Sequence, residues 1–147
     1  LNIRFIEFMP FSSNSWNDDN YISATEIKKM VEQKFSLIEL NSDKSEVAKS
    51  YSIKNRKGTV SLISSISNHF CGDCNRLRIT ADGNLKLCLF SSKDGEISLR
   101  NLMRTNNLSD EQIADVISEA LLNKNLNHPE IEELLKLESN NMLQIGG

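Results

Sequence analysis

The stretch Phe70-Cys71-Gly72-Asp73-Cys74-Asn75-Arg76-Leu77-Arg78-Ile79-Thr80, followed by Ala81-Asp82-Gly83-Asn84-Leu85-Lys86-Leu87-Cys88-Leu89-Phe90, holds every cysteine of the chain. Its thiols are spaced Cys71-x2-Cys74-x13-Cys88. Thiolates are soft ligands that select zinc, copper(I) or iron–sulfur clusters. Three of them without a fourth leave one coordination position open. The spacing alone leaves the group undecided, because redox dithiols, zinc sites and iron–sulfur sites all use Cys-x2-Cys. A redox dithiol would leave Cys88 idle. A structural zinc site needs four ligands, and His69 could complete a Cys3His set. An iron–sulfur centre on the same thiols is the other reading, and spacing does not choose between the two. An odd cysteine count speaks against a disulfide framework and for a reducing compartment.

Around these thiols the sequence predicts a hairpin. Arg76–Thr80 and Asn84–Phe90 read as strands joined by Ala81-Asp82-Gly83, with Gly83 at the left-handed position that ends a three-residue loop. That register sets Arg76 opposite Cys88, Leu77 opposite Leu87 and Arg78 opposite Lys86. Side chains alternate along a strand. Leu77, Ile79, Leu85, Leu87 and Leu89 then share an apolar face, and Arg76, Arg78, Lys86 and Cys88 share a polar one. Guanidinium groups suit bidentate phosphate recognition, so Arg76 and Arg78 point to an anionic ligand beside the thiols. Lys86 alone is expected to be an ordinary solvated lysine.

These residues carry a resemblance. The motif from Phe70 to Thr80, with Gly83 and Cys88-Leu89-Phe90, resembles the C-terminal region of the molybdenum cofactor biosynthesis protein A family. These are GTP 3′,8-cyclases of the radical S-adenosylmethionine class. Arg4-Phe5-Ile6-Glu7-Phe8-Met9-Pro10 and the terminal Ile145-Gly146-Gly147 extend the likeness, and residues 35 to 58 match weakly. The resemblance implies an auxiliary [4Fe–4S] cluster on Cys71, Cys74 and Cys88, whose open iron contacts the guanine of GTP. It implies the GTP triphosphate on Arg76 and Arg78, and a role for Arg4 at the GTP or S-adenosylmethionine site. It also implies that Gly146 and Gly147 reach toward the active site, where glycine permits close backbone approach.

The family's Cys-x3-Cys-x2-Cys motif for the catalytic cluster and S-adenosylmethionine does not occur in this sequence. The chain opens on Leu1 inside a strand-like run. Residues 1–147 are therefore expected to be the C-terminal, auxiliary-cluster and substrate-binding part of a longer enzyme. Its N-terminal radical half would be a missing partner, and this part alone would be inactive. The expected fold is α/β: closing strands of an incomplete TIM-type barrel plus a small α+β region around the cluster. The alternative class is a non-catalytic, zinc-stabilised binding domain.

Composition bounds the rest. Apolar residues make up 39% and charged residues 25%, with a net charge of −3, in the range of a globular domain. The acidic balance and the lack of a basic stripe interleaved with aromatics argue against nucleic-acid binding. No apolar run reaches the roughly 18 residues of a membrane span. The resemblance implies a cytoplasmic protein in bacteria or a mitochondrial one in eukaryotes; a homodimer stays open.

Elsewhere, Ile3–Met9 reads as a buried parallel strand interrupted by Arg4 and Glu7, and Pro10 ends it. Near a barrel strand's C-terminal end such charges face the active site or form a strand-end salt bridge. Trp16 is expected to pin the polar loop from Ser12 to Asn20. Ser23-x2-Glu26 is a capping box that opens a helix to about Phe35, with Ile27, Met30, Val31 and Phe35 inward. Phe35–Leu40, Tyr51–Ile53 and Thr59–Ile66 read as strands, the last two joined through Gly58. Ile97–Arg104 reads as a short helix. Ser109-x2-Gln112 caps another, running to about Leu122 with Ile113, Val116, Ile117, Ala120 and Leu121 inward. Pro129 is expected to open a last helix. His69 is expected in a loop hydrogen bond and His128 at a helix start.

Overall fold

The computed structural model describes residues 1–11 and 14–136. The expected tail contact of Gly146 and Gly147 lies outside them. The chain divides into two compact units: Leu1–Pro10 with Ser15–Cys74, and Asn75 onward with Phe11 and Asn14.

The first unit is a four-stranded mixed sheet with one helix. Strands β1 (Asn2–Ile6), β2 (Leu37–Glu39), β3 (Lys49–Ile53) and β4 (Thr59–Ile63) lie in the order β1-β4-β3-β2. β1 runs parallel to β4, with Arg4 beside Ser61, and the other pairs are antiparallel. The expected turn joins β3 to β4. Gly58 has φ +134°, and a Cβ there would lie 2.8 Å from the Leu1 carbonyl oxygen. The backbone N–H of Thr59 donates to that same oxygen at 3.0 Å, so the close approach that glycine permits starts the β1–β4 ladder.

Helix α1 (Ala24–Glu32) starts at the predicted capping box: the Glu26 N–H donates to Ser23 Oγ, and the Ser23 N–H donates to the Glu26 carboxylate. Ala24 joins Tyr51, Val60 and Leu62 in the core, with Ile27, Leu37 and Ile53 packed against them. Met30 and Phe35, expected inward, are exposed. The helix ends at Glu32, so Phe35 lies beyond it.

β1 corrects a second expectation. It is parallel as predicted, but every residue of it is exposed rather than buried. Its position explains why, because β1 is an edge strand with a single neighbour, β4. No closed barrel is formed among the described residues.

The second unit holds a three-stranded antiparallel sheet, β5 (Arg78–Ile79), β6 (Asn84–Lys86) and β7 (Ile97–Ser98), in the order β5-β6-β7. Helices α2 (Leu99–Arg104), α3 (Asp110–Leu122) and α4 (Ile131–Leu134) follow. The predicted register holds over the ladder itself, with Arg78 opposite Lys86 and Ile79 opposite Leu85, but the ladder stops there and does not include the expected Leu77–Leu87 and Arg76–Cys88 pairs. Gly83 adopts φ +85°, and its N–H donates to the Thr80 carbonyl at 2.9 Å. Ile97–Ser98 is strand rather than helix, and Ser98 caps α2 instead. The Ser109–Gln112 capping box opens α3 as expected. Leu121, expected inward, is exposed, whereas Ala120 is buried.

Candidate thiol site and its supports

Cys71 and Cys74 flank a single 3-10 turn, Cys71–Asp73, in the first unit; the Cys74 N–H donates to the Cys71 carbonyl at 3.2 Å. This is the local geometry of a Cys-x2-Cys segment, with two thiols on one tight turn. Cys88 lies in the second unit. All three are thiols at intermediate exposure. That donor chemistry suits a thiolate-bound metal group. Among the described residues no three His, Cys, Asp or Glu side chains are gathered as a ligand group. His69 is exposed in the loop before the turn and does not complete a set with Cys71 and Cys74.

The loop that delivers Cys71 is anchored by a residue whose role the sequence left between two readings. Glu7 is 1% exposed, just past the end of β1. Its Oε1 accepts from the Ala24 N–H at 2.7 Å. Its Oε2 accepts from the Ile66 N–H at 2.7 Å and the Ser67 N–H at 2.9 Å. The Ser67 hydroxyl also donates to Oε1. Glu7 therefore ties the first turn of α1 to the segment that runs into Phe70 and Cys71. Its partners are backbone N–H groups and a hydroxyl, which corrects the strand-end salt bridge. Burial pushes its pKa up, but the hydrogen bonds from Ser67, Ala24 and Ile66 outweigh burial and leave it below the usual glutamate value. Burial, and then the Glu7 charge, pushes the Tyr21 phenol up. Trp16 is buried and its indole N–H donates to the Phe8 carbonyl at 2.8 Å, which is the pinning expected of it.

In the second unit the predicted polar face is only partly polar. Arg76 and Arg78 are half-buried, and the Arg76 carbonyl accepts from Lys124 Nζ at 2.8 Å. Lys86 is not solvated: it is 1% exposed and its ammonium meets Glu96 Oε1 at 3.1 Å. Ile79 and Leu77 of the predicted apolar face are instead exposed: Ile79 lies on the two-residue edge strand β5, and Leu77 precedes it. The cationic set beside Cys88 in sequence therefore reduces to the two arginines, since Glu96 neutralises Lys86. Arg4, on exposed β1, belongs to the other unit. His128 packs edge-on against Phe90 at 5.2 Å between ring centroids, and its Nδ1 lies 2.6 Å from the Pro129 carbonyl.

The strand carrying Cys88 is also shorter than predicted. β6 ends at Lys86, and Cys88 opens a turn in which the Ser91 N–H and hydroxyl both donate to the Cys88 carbonyl, at 3.3 and 2.9 Å. The buried Glu7 and Lys86 were the site supports least legible in sequence. The only signal was a charged residue inside an apolar strand.

The family model described as Molybdenum Cofactor Synthesis C matches residues 1–130. The chain belongs to this family. It is 39% identical to molybdenum cofactor biosynthesis protein 1 of Dictyostelium discoideum over 150 residues, covering 99% of this chain and 23% of that protein. It is 39% identical over 148 residues to the mitochondrial GTP 3′,8-cyclase of Arabidopsis thaliana, covering all of this chain and 37% of the relative. The GTP 3′,8-cyclase of Alkaliphilus oremlandii gives 39% identity over 148 residues, with 44% of its length covered. The chain thus spans less than half the length of these relatives. Among the described residues no helix is long and apolar enough to cross a membrane.

Proposed function

We propose that this chain is the C-terminal part of a GTP 3′,8-cyclase, which converts GTP to 3′,8-cyclo-7,8-dihydro-GTP in molybdenum cofactor biosynthesis. The observation that carries the proposal is family membership over residues 1–130, with two full-chain relatives that bear that enzyme's name. Cys71, Cys74 and Cys88 would hold an auxiliary [4Fe–4S] cluster. When bound, that cluster supplies an open iron as a Lewis-acidic contact for the guanine. Arg76 and Arg78 would bind the triphosphate through charge-assisted hydrogen bonds, and Arg4 would act at the GTP or S-adenosylmethionine site. This chain's task is then to bind and orient the substrate, since positioning converts a loose encounter into a near-attack geometry. Radical generation from S-adenosylmethionine belongs to sequence outside these residues. The exposed apolar residues of β1 (Ile3, Phe5 and Ile6) support a continuation of the sheet toward an incomplete TIM-type barrel.

Iron and sulfide analysis after anaerobic reconstitution tests the reading. About four of each per chain are expected. One tightly held zinc with no visible charge-transfer absorption would reject it in favour of a zinc-stabilised binding domain. His69→Ala should leave iron content unchanged.

A further inference from the structure

The turn bearing Cys88 is closed by a buried relay. Lys86 Nζ donates to the Ser91 carbonyl and to Glu96 Oε1. Glu96 Oε2 accepts from Asn84 Nδ2 at 3.2 Å. Ser91 in turn holds the Cys88 carbonyl through its N–H and its hydroxyl. The lysine and glutamate side chains are 0% and 4% exposed. A long, flexible lysine is rarely buried so fully unless its charge is paired, and such a pair is a weak source of net stability. What it supplies is geometry. One ammonium fixes both the end of β6 and the residue that closes the turn.

We propose that the Lys86–Glu96 pair is a positioning device for the Cys88 thiol, acting through the Ser91 carbonyl. Its bearing on metal rests on the reading of Cys88 as a cluster ligand; the positioning of the thiol does not. Without the ammonium, the Ser91 carbonyl would lose its charged donor. The Cys88–Ser91 turn would open, and the thiol would sample a wider range of positions.

The test uses the 147-residue chain without metal. Iodoacetamide labelling is followed separately at Cys71, Cys74 and Cys88 by peptide mass. The double variant Lys86→Met/Glu96→Met removes both charges at similar volume. It is expected to keep its fold by circular dichroism and to label severalfold faster at Cys88, with Cys71 and Cys74 unchanged. Ser91→Ala leaves the ion pair intact and removes the hydroxyl's bond to the Cys88 carbonyl, while the backbone N–H bond remains. It should raise the Cys88 rate in the same direction, and it carries the test if the double variant does not fold. An unchanged Cys88 rate in a folded variant overturns the proposal, as does an equal rise at all three cysteines, which marks general loosening.

Reconstitution with iron and sulfide followed by chelator challenge adds a second readout. The variants should lose iron faster than the parent chain. A parent chain that takes up no iron, yet whose Cys88 rate responds as expected, leaves the positioning device standing and rejects the ligand role of Cys88.

Discussion

Lys86 stands directly across the sheet from Arg78, yet its ammonium turns to Glu96 Oε1 at 3.1 Å, inside the second unit. Like charges placed opposite each other on a sheet repel. Glu96 offsets that repulsion by pairing with the lysine. Strand alternation correctly put Lys86 and Arg78 on one face. It could not show that a carboxylate ten residues further along would bury the lysine.

Breaking that pair on one side should be costly. Lys86→Met takes from the buried Glu96 carboxylate the ammonium that faces it at 3.1 Å. A loss of about 3–5 kcal/mol is expected from removing one partner of a buried pair. The double change to Met at both positions should restore most of it, since apolar replacement of both charges is often near neutral. Urea unfolding of the three proteins measures this. A single variant as stable as the parent would mean that the pair is solvated in solution.

Glu7 predicts an acid limb in the stability curve. Its folded pKa lies below the ordinary 4.5, because the hydrogen bonds that favour the carboxylate outweigh burial. A depressed carboxylate contributes stability that is complete above the unfolded pKa and is lost as pH falls through the folded one. Glu7→Gln should lower stability near neutral pH by at least about 2 kcal/mol, since several charge-assisted hydrogen bonds weaken and one amide faces N–H donors. The gap between the two proteins should narrow as pH falls from the ordinary glutamate value through the lower folded one. A gap independent of pH would mean that Glu7 acts by shape alone.

What the sequence made legible follows from the range of the forces involved. Ser23 and Ser109 declare helix starts because a capping box closes within four residues. Gly83 declares its turn because a left-handed φ is a property of one residue. The exposure of β1 was hidden, since an apolar strand reads the same whether its second neighbour is present or not. Glu7 was hidden too: its donors Ile66 and Ser67 lie 59 and 60 residues away. For the candidate site, the three thiols and two arginines were named from spacing and resemblance, whereas their supports, Glu7 and Lys86, needed tertiary structure.

Gly83 should resist substitution for two separable reasons. Its φ of +85° strains any L-residue, and an added Cβ would lie 3.0 Å from the Arg100 Cβ. Gly83→Ala is expected to cost about 1 kcal/mol or more from backbone strain alone. Gly83→Asn, which tolerates left-handed backbone better, should be milder if strain dominates and equally harmful if the contact with Arg100 dominates. Thermal midpoints of the two variants decide between them.

Arg76 and Arg78 give the functional prediction for GTP. Both are half-buried and lie just beyond the Cys74 turn in sequence, Arg76 before β5 and Arg78 at its start. A charge-assisted hydrogen bond contributes roughly 1.5–3 kcal/mol. Arg76→Ala should therefore weaken GTP binding by about tenfold or more, Arg78→Ala should act in the same direction, and guanosine binding should change far less. The comparison is made by calorimetry on cluster-loaded protein, with iron content measured alongside. Because the Arg76 carbonyl accepts from Lys124 through the backbone, its side chain can be removed without deleting that contact, which keeps folding and binding separable. Equal losses for GTP and guanosine at unchanged iron content would assign the arginines to the fold rather than to the triphosphate. A loss of iron together with GTP would place them in support of the cluster.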